Sequence, residues 1–533
     1  MSTRTFGLAL LLLSPCAVAA SAQRQATGEP TLILTGARVF TADARRPWAE
    51  AIAIRGDRIV AVGSSAEVTK LAMPATRRID VRGRVIVPGF NDAHAHLGCE
   101  LSFVAPVVMD AGPTRDTPFA LVADSIRAVV SRVPAGTWVA VAIGRAVIKD
   151  TSARRAALDR IAPSNPVLMQ LTGGHGPVLN SAALRALGID DSVRDPLGGR
   201  YEREAGTGRL NGSLREYAIF SAVRRMCSMD PESTLVAGLR SAGRIMARQG
   251  ITSVQSFANT LEPSLTLRVF RAAELPQRVR LISMPMTSPN GRLMGEWRDA
   301  QATFTPVTNS AGGTLTLSGV KWILDGSPIE HGIALRHAYA SRPGYFGMLD
   351  LPRDTIRAVL LEARAAHEQI MLHAAGDSTA ALVLSLLEQT GGAAAWARER
   401  EIYDSAALAS LAPLQSLVER GIPLAFGADQ NGDGMSPFLN IMVATTHPAN
   451  PKEALTREQA VIAYTRGSAY AEGAEREKGT LAPGMWADLV VLSQDIFTVP
   501  AQALPATHSV LTIIGGRVAY DELTAATVPP SRD

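Results

Sequence analysis

The segment VIVPGFNDAHAHL, residues 85–97, ends an apolar run with two histidines one residue apart. In an extended strand, residues i and i+2 point to the same face, so the imidazoles of His94 and His96 can converge on one point. Neutral imidazole is a good ligand for zinc and similar divalent ions. Two histidines at this spacing are often unrelated, but the Pro-Gly break and the apolar strand before them favour a metal site.

Two other polar residues end apolar runs and could join such a site. Asp429 ends GIPLAFGAD, where a carboxylate could hold a metal ion or accept a proton from bound water. The alternative for Asp429 is ordinary turn chemistry. His373 ends QIMLHAAGD and could equally be a satisfied core histidine, with Asp377 as the N-cap of the next helix.

Lys321 lies inside the apolar run of LSGVKWILDGSP. An ammonium group is costly there unless it is paired or chemically changed. One interpretation is an ion pair with Asp325 or another acid. The other is a lysine carboxylated by carbon dioxide, which would serve as an anionic metal ligand.

The middle of the chain alternates short apolar runs with helical stretches such as residues 352–369 and 455–472. The second stretch opens with Thr456 and Gln459 in a capping-box arrangement. This alternation predicts an α/β fold with parallel strands, either an open doubly wound sheet or a (β/α) barrel, in which functional groups gather where strands end. The apolar runs end at or near Asp92, Gly144, Thr172, Gln255, Met286, Asp325, His373 and Asp429.

Both ends of the chain are rich in β-forming residues. Residues 31–80 contain short strands, with a hairpin turn expected at residues 55–57, and the C-terminal part has a second hairpin around Gly515 and Gly516. We therefore expect one small β-domain assembled from both termini, with the remainder inserted between them.

Composition and the first residues indicate an exported protein without a nucleic-acid partner. The 53 basic residues against 49 acidic ones form no dense basic runs, so the net charge of +4 gives no case for nucleic-acid binding. Residues 1–22 have the layout of a Sec signal peptide, with cleavage expected after Ala22 and a soluble periplasmic or secreted product. Cys16 raises the alternative of a lipoprotein anchor, which Pro15 disfavours. No later apolar stretch is long enough for a membrane helix.

Cys99 and Cys227 are the cysteines left after the signal peptide. An exported compartment would permit a bridge between them. The sequence gives no sign that they meet, and we expect two small buried hydrophobic side chains.

From residue 31 to about residue 520, the chain resembles the amidohydrolase superfamily, specifically its YtcJ-like or amidohydrolase-3 group. The segments that carry this resemblance are VIVPGFNDAHAHL, GGHGPVLNSAAL, GSLREYA, VKWILDGS, LHAAGD, PLAFGAD, PKEALTREQAVIAYT and GTLAPGMWADLVVLSQD. The resemblance implies a metal-dependent hydrolase with a (β/α)8-type, TIM-like barrel over residues 86–477, an insertion around 130–215 and a composite β-domain of residues 31–85 and 478–525.

The same resemblance implies roles for individual residues. The implied metal ligands are His94, His96, Lys321, His373 and Asp429. His175, in TGGHGPVLN, matches a position that we assign to the substrate pocket, and the alternative is a loop histidine capping the following helix.

The sequence departs from the family pattern after His373. Relatives carry a further histidine on the next barrel strand, yet no histidine occurs here between His373 and His447. If the apolar runs ending near residues 144 and 172 belong to the insertion, the barrel lacks its sixth and seventh strands and must open or re-pair. A one-metal or impaired site is then expected more than a two-metal site. A natural deletion and a coding-sequence error near residues 390–410 both explain the gap.

The leading hypothesis is an exported amidohydrolase that uses a divalent metal ion, with zinc expected, to hydrolyse an amide or cyclic amide of a small molecule. Metal-activated water would attack the carbonyl carbon, and Asp429 would pass the water's proton to the leaving nitrogen. One alternative is a catalytically impaired scaffold or binding protein. Another is the same metal centre acting on esters, lactones or phosphoesters. The sequence predicts no particular oligomeric state.

Overall fold

A computed structural model of the chain describes residues 29–108, 117–171, 176–328, 330–396, 402–403, 413–430, 432–448 and 450–523. The predicted signal peptide and His175 lie outside the described residues.

The strands, in chain order, are β1 Leu32–Thr35, β2 Arg38–Phe40, β3 Trp48–Ala49, β4 Ala51–Arg55, β5 Arg58–Gly63, β6 Arg77–Asp80, β7 Val85–Pro88, β8 Phe90–Ala95, β9 Val104–Pro106, β10 Trp138–Ile143, β11 Val167–Leu171, β12 Val178–Leu179, β13 Gly199–Arg203, β14 Leu210–Glu216, β15 Ile251–Ala258, β16 Arg278–Ser283, β17 Met286–Ser288, β18 Gly291–Leu293, β19 Val307–Thr308, β20 Thr314–Ile323, β21 Ile370–His373, β22 Ile402–Tyr403, β23 Leu489–Leu492, β24 Ser509–Ile514 and β25 Arg517–Asp521.

The α-helices are α1 Ser65–Thr69, α2 Phe119–Val130, α3 Arg145–Lys149, α4 Arg155–Ile161, α5 Ser181–Ala186, α6 Tyr217–Cys227, α7 Glu232–Arg248, α8 Pro263–Ala273, α9 Gly295–Thr303, α10 Arg353–Ala365, α11 Asp377–Trp396, α12 Leu414–Glu419, α13 Pro437–Thr446, α14 Arg457–Ile462 and α15 Ser468–Ala471. A π-helical turn, Ala463–Gly467, joins α14 to α15, and α14 begins with the predicted capping box of Thr456 and Gln459. None of the described helices is both long and apolar enough to cross a membrane.

The central sheet contains six parallel strands in the order β22-β21-β20-β16-β15-β8, and the short strand β19 pairs with β20 in antiparallel fashion. Every residue of β15 is buried, as expected for a parallel strand covered on both faces. The run that ends at Asp429 lies alongside the outer edge of β8, because Asp429 N donates to His94 O at 2.7 Å and Ala95 bridges Gln430 in parallel. The predicted α/β architecture with parallel strands is confirmed. Because these strands run in the same direction, their carboxyl ends lie at the same end of the sheet.

Closure of this sheet into a barrel stays a prediction. Within the described ranges, no strand connects β22 to the run that ends at Asp429. The apolar runs ending near residues 144 and 172 are β10 and β11, and they belong to a second sheet with the order β13-β14-β12-β11-β10-β9. The second sheet is mixed, since β9, β10 and β11 are parallel while β12, β13 and β14 pair in antiparallel fashion, so the two runs do not extend the central sheet.

Strands from both ends of the chain share one sheet, in the order β25-β24-β23-β7-β2-β3, and a second sheet, β5-β4-β1-β6, packs with it. Strand β23 pairs with β7 in antiparallel fashion, with Val491 opposite Ile86. The two predicted hairpin turns are confirmed, and they meet: a Cβ atom on Gly516 would lie 1.9 Å from Gly56 O. Gly516 also has a φ of +71°, which favours glycine.

Cys99 and Cys227 form a disulfide, so the prediction of two separate buried cysteines is wrong. The loop after β8 runs past the last residue of α6, which brings the two Cα atoms to 5.1 Å, within the range that a disulfide spans. The sequence separation of 128 hides this contact from any local sequence pattern.

Candidate metal centre

His94 and His96 lie at the carboxyl end of β8, where their side chains meet Asp429. The two Nε2 atoms are 3.3 Å apart. Asp429 Oδ1 lies 3.2 Å from His94 Nε2 and 3.0 Å from His96 Nε2. Among the described residues, these three side chains form the one group of three or more metal-ligating residues whose ligand atoms lie within 4.8 Å of one another.

Residues of β15 and the loop after it fix the two rings. His96 Nδ1 lies 2.9 Å from Asn259 Oδ1, an acceptor that requires the Nδ1–H tautomer and leaves Nε2 as the lone-pair nitrogen. The Phe257 ring packs edge-on against His94 at 4.3 Å between centroids and also contacts His96 at 5.7 Å. Both imidazoles are therefore oriented before any ligand binds.

Asp92 connects the two segments that carry the ligands. Its carboxylate is fully buried and accepts hydrogen bonds from His94 N at 3.0 Å and from Ala428 N at 3.0 Å. Burial raises the pKa of Asp92 to about 7, although these hydrogen bonds favour the ionised form. Tyr464, on the π-helical turn, lies 3.4 Å from the same carboxylate through its hydroxyl.

The approach of the second segment to β8 depends on backbone conformation. A Cβ atom on Gly427 would lie 2.4 Å from His94 N, so only glycine permits this contact. Asp429 itself has a φ of +53°, in the left-handed region that aspartate tolerates better than most residues. Such strain in a non-glycine residue is typical of functional sites.

The three ligand atoms fit a single divalent ion. Their separations of 3.0–3.3 Å are close to the roughly 3.3 Å expected between neighbouring ligands of a tetrahedral ion with bonds of about 2.0–2.1 Å. Burial lowers the pKa of His96, but the hydrogen bond and charge of Asp429 outweigh it, and the net pKa lies above the ordinary value. A cation in this group would therefore compete with a proton for His96.

Lys321 and His373, the other two ligands that the resemblance implies, lie close to this group. Both line the cavity that contains His94, His96 and Asp429. Lys321 is buried, with Nζ 4.6 Å from the centroid of the Phe257 ring. His373 Nε2 lies 3.3 Å from Gly326 O and 3.8 Å from Asp325 Oδ1.

Asp325, the ion-pair partner considered for Lys321, organises the loops around His373. Its carboxylate accepts hydrogen bonds from Ala375 N at 2.9 Å, Gly376 N at 2.8 Å and Thr379 Oγ1 at 2.6 Å. This arrangement anchors the first turn of α11, which begins directly after the β21 segment that carries His373.

Comparison with known proteins decides the family. A model of the amidohydrolase family matches residues 77–411 and 400–520. The chain belongs to the amidohydrolase family. The amidohydrolase match breaks where the sequence lacks the expected histidine segment.

Individual relatives of the chain are distant in sequence but match almost all of it. An N-substituted formamide deformylase from Arthrobacter pascens is 25% identical over 92% of this chain and 98% of its own. The putative amidohydrolase YtcJ from Bacillus subtilis is 23% identical over 89% of this chain and 96% of its own. The crystal structure of a metal-dependent hydrolase from Pyrococcus horikoshii has a TM-score of 0.63 at 18% identity, covering 88% of this chain and 99% of that one. This last likeness shows a shared fold.

Sequence patterns missed several residues of the candidate metal centre, above all Asn259 and Phe257. The sequence predicts that this strand ends near the polar Gln255, whereas β15 continues to Ala258. Gln255 is buried inside the strand because Arg280 Nη1 donates to its Oε1 and its own Nε2 donates to Ser468 O. Asp92 was visible as the aspartate before the histidine pair, but its contact with Ala428 depends on a segment more than three hundred residues away.

Proposed function

We propose that this amidohydrolase is an exported, metal-dependent hydrolase of C–N bonds in small amides or cyclic amides. The observation that carries the proposal is the convergence of His94, His96 and Asp429 at a cavity of about 690 Å³ in a member of this family. The relative that deformylates N-substituted formamides supports the amide bond as the point of attack. A one-ion site with zinc agrees with the three-residue ligand group.

Each residue has a distinct task in this reaction. A divalent ion held by His94, His96 and Asp429 would polarise the scissile carbonyl and lower the pKa of a water molecule. Asp429 accepts the proton that the attacking water loses and delivers it to the leaving nitrogen. Lys321 and His373, which line the same cavity, donate hydrogen bonds to the substrate carbonyl oxygen.

Two observations support export. Residues 1–22 have the signal-peptide layout, and the Cys99–Cys227 disulfide is of a kind that persists in oxidising compartments. Sequencing the N-terminus of protein recovered from the periplasm or medium tests this part. Protein that starts near Gln23 agrees with export, and protein that retains the signal sequence in the cytoplasm contradicts it.

The function is tested by zinc analysis combined with hydrolysis of formyl amides, acetyl amides and cyclic amides. We expect one zinc ion per chain and release of amine from at least one amide. Asp429→Asn samples that still contain zinc should lose activity by about 100-fold or more, whereas the exposed Asp354→Asn should retain it. A wild-type rate in zinc-loaded Asp429→Asn would remove Asp429 from the proton transfer.

Other outcomes of the same test distinguish the alternatives. Esters and lactones are assayed in parallel, and hydrolysis of these without hydrolysis of any amide would contradict the C–N assignment. Clearly less than one ion per chain, without rescue by added metal, would favour the impaired scaffold that the missing histidine segment motivates.

A further inference from the structure

The cavity at the metal centre continues into an apolar region, which we call the apolar arm. Its wall is formed by two strand residues and one face of helix α6: Ala140, Ala142, Ile219, Phe220, Val223 and Met226. The helical residues are spaced by one, three and three positions, so they form a single stripe along α6. The arm is therefore built by the second sheet and α6, while the metal ligands come from the central sheet and the Asp429 segment.

Strand β10 keeps this arm open because its cavity face carries only small side chains. Ala140 and Ala142 are two residues apart and point to one face, whereas Val139 and Val141 are buried on the other face against α2 and α4. Ala142 is exposed and Ala140 half-buried, which leaves the space in front of them to a ligand. A larger residue at position 142 would occupy that space without disturbing the buried face.

The described residues that form the arm carry no positive charge for an anionic ligand. Among the described residues that line the cavity, Glu100 is the charged one outside the metal centre and Lys321. Gln170 on β11 lies opposite Ala142 of β10 in the strand pairing, and it adds a neutral hydrogen-bonding group at the edge of the arm. A carboxylate entering the arm would lose its hydration without gaining a cationic partner.

We infer that the substrate is an amide whose substituent is uncharged, apolar and several carbons long, with this substituent in the apolar arm. The inference rests on the proposed metal-dependent hydrolysis and adds the class of substrate. Each buried methylene group favours binding by roughly threefold to fourfold. A chain extended by four methylene groups should therefore bind at least tenfold more tightly, even with incomplete burial.

Alkyl hydroxamates test this inference, because the hydroxamate group chelates a divalent ion and the alkyl chain reports on the arm. Binding of acetohydroxamate, hexanohydroxamate and adipic monohydroxamate to the zinc-loaded full-length protein would be measured by calorimetry. The last two have the same chain length and differ in a terminal carboxylate. We expect hexanohydroxamate to bind at least tenfold more tightly than either of the others.

A variant links the preference to the arm. Ala142→Phe should reduce the ratio of hexanohydroxamate to acetohydroxamate affinity to about one, because the phenyl ring fills the arm. Ala75→Phe, at an exposed position between α1 and β6, is the matched control and should keep the wild-type ratio. Thermal unfolding of both variants shows whether they are folded.

The possible results separate the inference from the proposed function. If no hydroxamate binds the zinc-loaded protein, the proposed metal-dependent function is contradicted, and so is the inference that rests on it. If all three bind with similar affinity, or adipic monohydroxamate binds most tightly, the metal centre stands and the apolar arm is refuted as a substrate site. An unchanged ratio in Ala142→Phe would likewise overturn the assignment to this wall.

Discussion

Asn259 fixes the tautomer of His96 through the hydrogen bond between its Oδ1 and His96 Nδ1. Removing such an acceptor weakens metal binding by about 10-fold to 100-fold in comparable sites. We therefore expect Asn259→Ala to raise the zinc dissociation constant by this factor, measured by competition with a chromophoric chelator. The exposed Asn290→Ala is the control, and equal zinc affinity in both variants would contradict the role of Asn259.

Asp350 is a buried acid that should make the folding stability of the protein depend on pH. Burial and the charges of Glu216 and Asp325 raise the pKa of Asp350 well above its usual value. The folded protein thus retains this proton to higher pH than the unfolded chain, and the stability that the protonated group contributes is lost as the pH rises from about 4 towards the folded pKa. An asparagine at this position does not titrate, so it removes this pH-dependent loss of stability.

Asp350→Asn should therefore gain stability relative to the wild type as the pH rises. Urea unfolding at pH 4.5 and 7.5 measures the difference in unfolding free energy between the two proteins, with the exposed Asp299→Asn as control. The difference should favour the variant more at pH 7.5 than at pH 4.5. A difference that is the same at both pH values would show that Asp350 has the same pKa in the folded and unfolded protein.

At the scale of elements, the disulfide ties the loop that follows the ligand strand β8 to the end of α6. The bridge closes a loop of 128 residues, and removal of a native disulfide typically costs about 2–5 kcal/mol of stability. We expect reduction, or the double variant Cys99→Ser and Cys227→Ser, to lower the unfolding free energy by this amount.

Thermal unfolding with and without reductant measures this effect. The wild type should unfold at a lower temperature in reductant, whereas the double variant should not respond. Equal unfolding temperatures of oxidised and reduced wild type would show that the two cysteines are not bridged in solution.

Local sequence patterns correctly predicted the features that depend only on residues close together in the sequence. The alternation of His94 and His96, the capping box at Thr456 and the glycine turns at residues 56 and 516 depend on a few neighbouring residues, and the structure shows all of them. Contacts between distant segments, such as the disulfide and the bond from Ala428 N to Asp92, were invisible for the same reason. Local patterns also left open which sheet β10 and β11 join, because a short apolar strand has the same pattern in the central sheet and in the second, mixed sheet.

At the scale of the whole molecule, the centre depends on segments that are far apart in the sequence. Strand β8 supplies two ligands and residue 429 the third, and the hydrogen bonds between Asp429 N and His94 O, and between Ala93 N and Phe426 O, hold the segments in register. The residues between them form the rest of the central sheet, the second sheet, the two-stranded sheet of β17 and β18, and most of the described helices. The histidine segment that relatives carry, and that this sequence lacks, would follow β21 and β22, at the edge of the central sheet opposite β8. Its loss leaves His94, His96 and Asp429 in place, which agrees with a one-ion site.

Anomalous diffraction from crystals grown with zinc tests this account most directly. The account predicts one zinc peak at about 2.0–2.2 Å from His94 Nε2, His96 Nε2 and an oxygen of Asp429. Lys321 and His373 should line the same cavity without ligating this ion. The absence of a peak at these three side chains, or a peak held by other residues, would contradict the central claim.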